Sequence, residues 1–129
     1  MCILIVDDHL SLQTLLTLFL KDVGYEAVTA NNGAEALNYL RQSADLPGLI
    51  LLDIAMPRMN GWEFLGHQQR DPRLSGIPVV LMTALAHRNY EERASSAVAV
   101  IDKPMDLLDL EAILHTYYHP QLMMRAVGA

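Results

Sequence analysis

Leu49-Ile50-Leu51-Leu52-Asp53-Ile54-Ala55-Met56-Pro57-Arg58-Met59-Asn60-Gly61 is the stretch that decides the fold. Four aliphatic residues run straight into one carboxylate. So continuous an apolar run reads as a strand covered on both faces, the kind found in parallel sheets. Asp53 then stands at the strand's C-terminal end, where open α/β sheets bind their ligands. Pro57 and Gly61 mark the loop beyond it. Taken alone, Asp53 could equally be a turn residue, since Asp commonly opens turns. The rest of the chain decides between the two.

Working outward, apolar runs alternate with helical patterns. Cys2–Val6 predicts a first strand, followed by Asp7-Asp8. Leu12, Leu15, Leu16 and Phe19 recur at helical spacing until Gly24 stops the helix. Leu10, Leu18 and Leu20 fall largely off that stripe and make the helix more apolar than one buried face needs. Glu26–Ala30 is a short, less apolar strand suited to a sheet edge. Asn31-Asn32-Gly33 turns into a helix over 34–42, and Pro47-Gly48 breaks the chain before the central strand. Asn60 is a natural N-cap for a helix over 61–70, which Asp71-Pro72 ends. Ile77–Met82 is the fourth strand, closed by Thr83-Ala84. The polar stretch 86–96 predicts a weakly docked helix. Val98–Ile101 is the fifth strand, Asp102-Lys103-Pro104 follows, and Leu107, Leu110, Ile113 and Leu114 line a last helix to about Tyr118.

Five strands alternating with five helices predict a flavodoxin-like (βα)5 α/β fold, a doubly wound parallel sheet with strand order 2-1-3-4-5. That order places the weak second strand at an edge. We read residues 1–120 as one domain. Residues 121–129 form a tail that is disordered, continues the last helix, or begins a linker.

Composition bounds the function. A chain of 129 residues that is 52% hydrophobic can bury one sizeable core. A net charge of −6 disfavours a nucleic-acid partner held by a broad basic surface. The single cysteine, Cys2, excludes an internal disulfide and reads as a small buried hydrophobe in a reducing compartment. With no basic leader and no apolar run of transmembrane length, we expect a cytoplasmic protein without membrane contact.

In a parallel sheet the strand C-termini share one side. Asp7 and Asp8, then Asp53, Thr83 and Lys103, therefore converge on one crevice. Clustered carboxylates repel, and a hard cation relieves them. Mg²⁺ suits such a site, with oxygen ligands at roughly 2.0–2.1 Å and only one or two carboxylates needed. A carboxylate nucleophile beside Mg²⁺ invites aspartyl-phosphate chemistry, with the ammonium and hydroxyl on the phosphoryl oxygens.

With these residues in view, the chain resembles a response-regulator receiver domain of two-component signalling, of the single-domain type, over about residues 3–118. The resemblance is carried by Val6-Asp7-Asp8, by Asp53-Ile54-Ala55-Met56-Pro57-Arg58-Met59-Asn60-Gly61, by Met82-Thr83-Ala84 and by Lys103-Pro104. It implies that Asp53 is the phosphoacceptor. Asp8, Asp53 and the Ala55 backbone carbonyl would hold Mg²⁺, with Asp7 acting mostly through a metal-bound water. Thr83 would hydrogen-bond the phosphoryl group, and Lys103 would pair with Asp53 and then with a phosphoryl oxygen. The Lys103–Pro104 bond is commonly cis in that family. The donor would be a phosphohistidine on a sensor histidine kinase or histidine phosphotransfer protein. The output would be contact with a downstream protein of unknown identity, with homodimerisation left open. Such a domain is a switch, not a metabolic enzyme, and catalyses only its own phosphorylation and dephosphorylation.

The chain departs from the family in places. Val100 stands where the family usually has the aromatic residue that couples the site outward. Ala55 and Leu85 stand where polar side chains would orient an attacking water, so the resemblance implies slow autodephosphorylation. His115 and His119 have metal-ligand spacing but no third ligand. Two competing functions are a degenerate receiver serving as a phosphorylation-independent binding module and a phosphohydrolase with an Asp nucleophile. Against the first, all five site residues are intact. Against the second, Ala55 replaces the second acid that many such enzymes carry, and there is no cap domain.

Overall fold

The computed structural model describes residues 2–84 and 96–118. In chain order the elements are β1 (Cys2–Val6), α1 (Leu10–Asp22), β2 (Glu26–Ala30), α2 (Gly33–Gln42), β3 (Leu49–Asp53), α3 (Gly61–Arg70), β4 (Val79–Ala84), β5 (Ala99–Lys103) and α4 (Leu107–Tyr117). The strands form one parallel sheet in the order β2-β1-β3-β4-β5, as the alternation predicts. Four helices lie among the described residues. The predicted helix over 86–96 and the tail 121–129 fall essentially outside them.

Period-two alternation divides the core. Leu4, Val6, Ile50, Leu52, Val79 and Leu81 face α2 and α3 through Leu37, Leu40, Phe64 and Leu65. Ile3, Ile5, Leu49, Leu51, Val80 and Met82 face α1 and α4 through Leu16, Leu20, Leu110 and Leu114. All five residues of β3 are buried, and the half-exposed β2 is an edge.

The α1 stripe differs from the periodicity reading. Leu16 and Leu20 are fully buried and Gln13 nearly so, whereas Leu15 is 50% exposed. Residues 16 and 20 stack one turn apart, and Leu15 rotates off that line. Leu10 and Leu18 do lie outward, 75% and 63% exposed. Strand β4 begins at Val79 instead of Ile77. The Ile77 N–H donates to the Leu74 carbonyl at 3.0 Å, and Pro78 has no N–H for the ladder. It then runs on through Thr83 and Ala84, which pair with Asp102 and Lys103. Cys2 is half-buried instead of core. Its N–H donates to the Tyr118 hydroxyl at 2.9 Å, and that ring tilts against Tyr25 with centroids 5.2 Å apart. This contact ties the end of α4 to the start of β1.

Helix α3 starts where the sequence places it. The Asn60 side chain accepts from the Glu63 N–H at 2.9 Å, and the Glu63 carboxylate accepts from the Asn60 N–H. This reciprocal capping satisfies two otherwise orphaned donors. The Asn32 side chain likewise caps α2. Among the described residues no helix is long and apolar enough to cross a membrane.

Candidate functional site

Register brings the strand ends together. Val6 pairs with Leu52, so Asp7 and Asp53 are the next residues out on adjacent strands. Asp53 pairs with Met82, which puts Thr83 one step beyond, and Ala84 pairs with Lys103. Asp7, Asp53 and Thr83 are buried, while Asp8 is exposed.

Lys103 bridges two carboxylates. Its ammonium lies 3.0 Å from Asp7 Oδ2 and 3.3 Å from Asp53 Oδ1. The sequence pointed to Asp53 as its partner, and the structure adds Asp7 as the nearer one. Burial lowers the affinity of the Lys103 amine for its proton, but the two carboxylates outweigh that and raise its pKa. At Asp53, burial first and Asp7 second push the carboxyl above the ordinary carboxylate range, against the pull of Lys103 and the Ala55 N–H. The Ala55 N–H donates to Asp53 Oδ1 at 3.4 Å. Asp53 Oδ2 is buried without a hydrogen-bond partner among the described residues. A buried acceptor left unmatched is costly and calls for an explanation.

Carboxylate or ring atoms of Asp7, Asp8, His9 and Asp53 lie within 4.8 Å of one another. An oxygen-rich cluster with an orphaned buried oxygen fits a hard divalent cation such as Mg²⁺. Asp7 has less to offer directly, because Lys103 holds its Oδ2 and its Oδ1 accepts from the His9 N–H at 2.8 Å.

Two glycines let the loop after Asp53 close on itself. A Cβ on Gly61 would stand 2.5 Å from the Asp53 carbonyl oxygen and 2.7 Å from Ile54 Cα. A Cβ on Gly33 would meet Met59 at 2.8 Å. Through those approaches the Gly61 N–H reaches the Ile54 carbonyl at 2.9 Å and the Gly33 N–H reaches the Met59 carbonyl at 3.1 Å. Arg58 takes a positive φ of 66° to complete the bend. The Lys103–Pro104 bond is cis, as expected.

Two contributors were missed in the sequence. His9 Nδ1 lies 3.0 Å from Asp7 Oδ1 and 3.2 Å from Asp8 Oδ1. Gln13 reaches from α1 to donate to the Asp7 carbonyl at 2.5 Å and to Asn31 Oδ1 at 2.8 Å. A polar residue on the buried side of an apolar helix is a signal for Gln13, and adjacency to the acidic pair is a signal for His9. Elsewhere, Val100 packs half-buried against the α2/α3 core face together with Trp62 and Ala97. Leu85 and His119 lie outside the described residues.

The model of the response regulator receiver domain family matches residues 3–115. An uncharacterised 14.6 kDa protein of Leptolyngbya boryana is 34% identical over 119 residues, covering 91% of this chain and 89% of its own. The response regulator Rre1 of Synechocystis is 34% identical over 87% of this chain and 49% of its own. Several curated relatives are thus much longer, and the chain spans about half of their length or less. Among solved structures, the response regulator TrrA of Thermotoga maritima, determined in complex with Mg²⁺ and BeF, superposes with a TM-score of 0.77. It is 30% identical over 90% of this chain and 97% of its own. The Vibrio cholerae chemotaxis protein CheY4 superposes with a TM-score of 0.81 at 26% identity, covering 90% and 97%.

Proposed function

The chain belongs to the response-regulator receiver family of two-component signalling, and from that premise we propose that it is a phosphoacceptor switch with Asp53 as the acceptor. The observation that carries the reading is Asp53 itself. It is a buried carboxylate at the open end of the central strand, with Lys103 on Oδ1 and an unmatched Oδ2 beside further carboxylates.

In the forward reaction an Asp53 carboxylate oxygen attacks the phosphorus of a phosphohistidine. The O–P bond forms as the P–N bond breaks, and the electron pair leaves on the donor imidazole, which takes up a proton. Lys103 keeps positive charge where the phosphoryl oxygens arrive, and Thr83 offers them its hydroxyl. Asp8, Asp53 and the Ala55 carbonyl would hold Mg²⁺, which when bound neutralises phosphoryl charge. Asp7 keeps Lys103 in place and would add negative charge beside the cation. The donor is a sensor histidine kinase or a histidine phosphotransfer protein. The exposed leucines of α1, Leu10, Leu15 and Leu18, on the helix that follows the acidic pair, are the surface we assign to it. Output is contact with a downstream protein.

Ala55 brings no polar side chain to a water attacking the phosphoryl group, so spontaneous loss is slow, over minutes to hours. Incubation with MgCl₂ and acetyl phosphate tests the whole reading. Mass spectrometry should show one added phosphoryl group, absent from Asp53→Asn. A folded protein that gains none would make this a phosphorylation-independent binding module instead, and a phosphorylated half-life of seconds would overturn the assignment of Ala55.

A further inference from the structure

The His9 imidazole has a position that the acceptor chemistry does not use. Its Nδ1 lies 3.0 Å from Asp7 Oδ1 and 3.2 Å from Asp8 Oδ1. Neighbouring ligands on an octahedron with metal bonds of about 2.1 Å are about 3.0 Å apart. The ring nitrogen therefore already stands near ligand spacing from Asp8, the carboxylate read here as a direct ligand, while its contact with Asp7 is a hydrogen bond that an ion would replace. The nearby Asp53 Oδ2, buried and without a partner among the described residues, independently leaves an acceptor in the cluster that a cation would satisfy.

We propose that His9 is a nitrogen ligand of the cation at this site, and that the site therefore takes a first-row transition dication ahead of Mg²⁺. The proposal rests on reading Asp8 and Asp53 as cation ligands. Mg²⁺ is hard, prefers oxygen and gives up its water reluctantly. Imidazole suits the transition dications, whose affinity for mixed nitrogen and oxygen sites rises from Mn²⁺ towards Cu²⁺. A nitrogen added to an oxygen cluster thus discriminates between the two classes. His9 is 64% exposed at the side chain and caps no α1 N–H with it, so the ring can turn onto an ion without breaking the fold.

The test uses the whole chain with MnCl₂ as probe. Pulsed electron paramagnetic resonance of bound Mn²⁺ should show ¹⁴N modulation from a coordinated imidazole, and His9→Ala should abolish it. His9→Ala should also weaken Mn²⁺ binding at least about tenfold, the lower end of what changes around a metal ligand commonly do. Mg²⁺ affinity, read by competition, should move by less than about twofold; a role confined to orienting the carboxylates would weaken both ions alike. Bound Mn²⁺ that is lost in Asp8→Asn yet shows no ¹⁴N modulation would overturn the His9 proposal and leave the carboxylate site standing. Modulation that persists in His9→Ala would overturn it too. Absence of Mn²⁺ binding to the wild type would overturn both.

Discussion

Gly61→Ala is a one-methyl probe of how Asp53 is held. The new Cβ would point at backbone, 2.5 Å from the Asp53 carbonyl oxygen and 2.7 Å from Ile54 Cα. Neither neighbour is a side chain that can rotate away. Ordinary contact begins near 3.4 Å, so the start of α3 and the end of β3 must part by about 0.9 Å. Overpacking of this kind costs about 1–3 kcal/mol. Parting also weakens the 2.9 Å hydrogen bond from Gly61 to Ile54, about 1 kcal/mol more. Against this stands a helix-propensity gain of up to about 1 kcal/mol. A net loss of about 1–3 kcal/mol corresponds to a fall in Tm of roughly 3–15 °C for a chain of this size. Thermal and urea unfolding measure it, with Gly76→Ala as control, since a Cβ there meets nothing within 4 Å. The same shift displaces Ala55, so Mg²⁺ affinity should fall with stability. Unchanged stability and unchanged Mg²⁺ affinity in Gly61→Ala would refute the reasoning.

Other perturbations address the charges. Lys103→Met leaves Asp7 and Asp53 buried without their cation and should destabilise the metal-free protein by about 3–5 kcal/mol, with partial recovery in MgCl₂ on urea titration. Because the Asp53 pKa is raised in the fold, the native state keeps that proton to higher pH than the unfolded chain does. Its contribution is therefore present at acid pH and lost as pH rises from about 3.8 through the raised value. In EDTA, Asp53→Asn should gain stability relative to wild type as pH climbs from acid to neutral; a constant difference would contradict the burial argument. MgCl₂ at about 100 times its Kd should stabilise wild type by about 2.7 kcal/mol, and Asp53→Asn by less. Leu18→Glu, on the exposed side of α1, should change stability by no more than about 0.5 kcal/mol. It should cut phosphotransfer from a protein donor while leaving acetyl phosphate labelling intact, whereas equal loss with both donors would point to misfolding.

What the sequence disclosed follows from what each feature depends on. Strand β3 was legible because a strand buried on both faces must be apolar throughout. The strand order followed from alternation and from the weak composition of β2. The strand-end residues were legible because a parallel sheet sends every C-terminus to one side. The buried face of α1 was not, since leucines at positions 10, 15 and 18 add apolar signal where no core lies and mask the 16–20 line. The start of β4 was hidden inside the apolar run 77–82, where the turn that ties Ile77 to Leu74 and the missing N–H of Pro78 decide when the ladder begins. Gln13 and the second partner of Lys103 depend on how α1 and β5 approach β1, which local pattern does not encode.

Consider again that no side chain of β3 is more than slightly exposed. Among the described residues, Asp53 is open to approach from the end of the sheet, while its own strand shows a visitor nothing. Under the proposed function, recognition and chemistry would therefore be separable traits in this chain. On the proposed reading, substitutions on the outer turns of α1 would redirect which donor is heard without touching Asp53. A lineage of such domains can change its conversation partners while its vocabulary stays fixed.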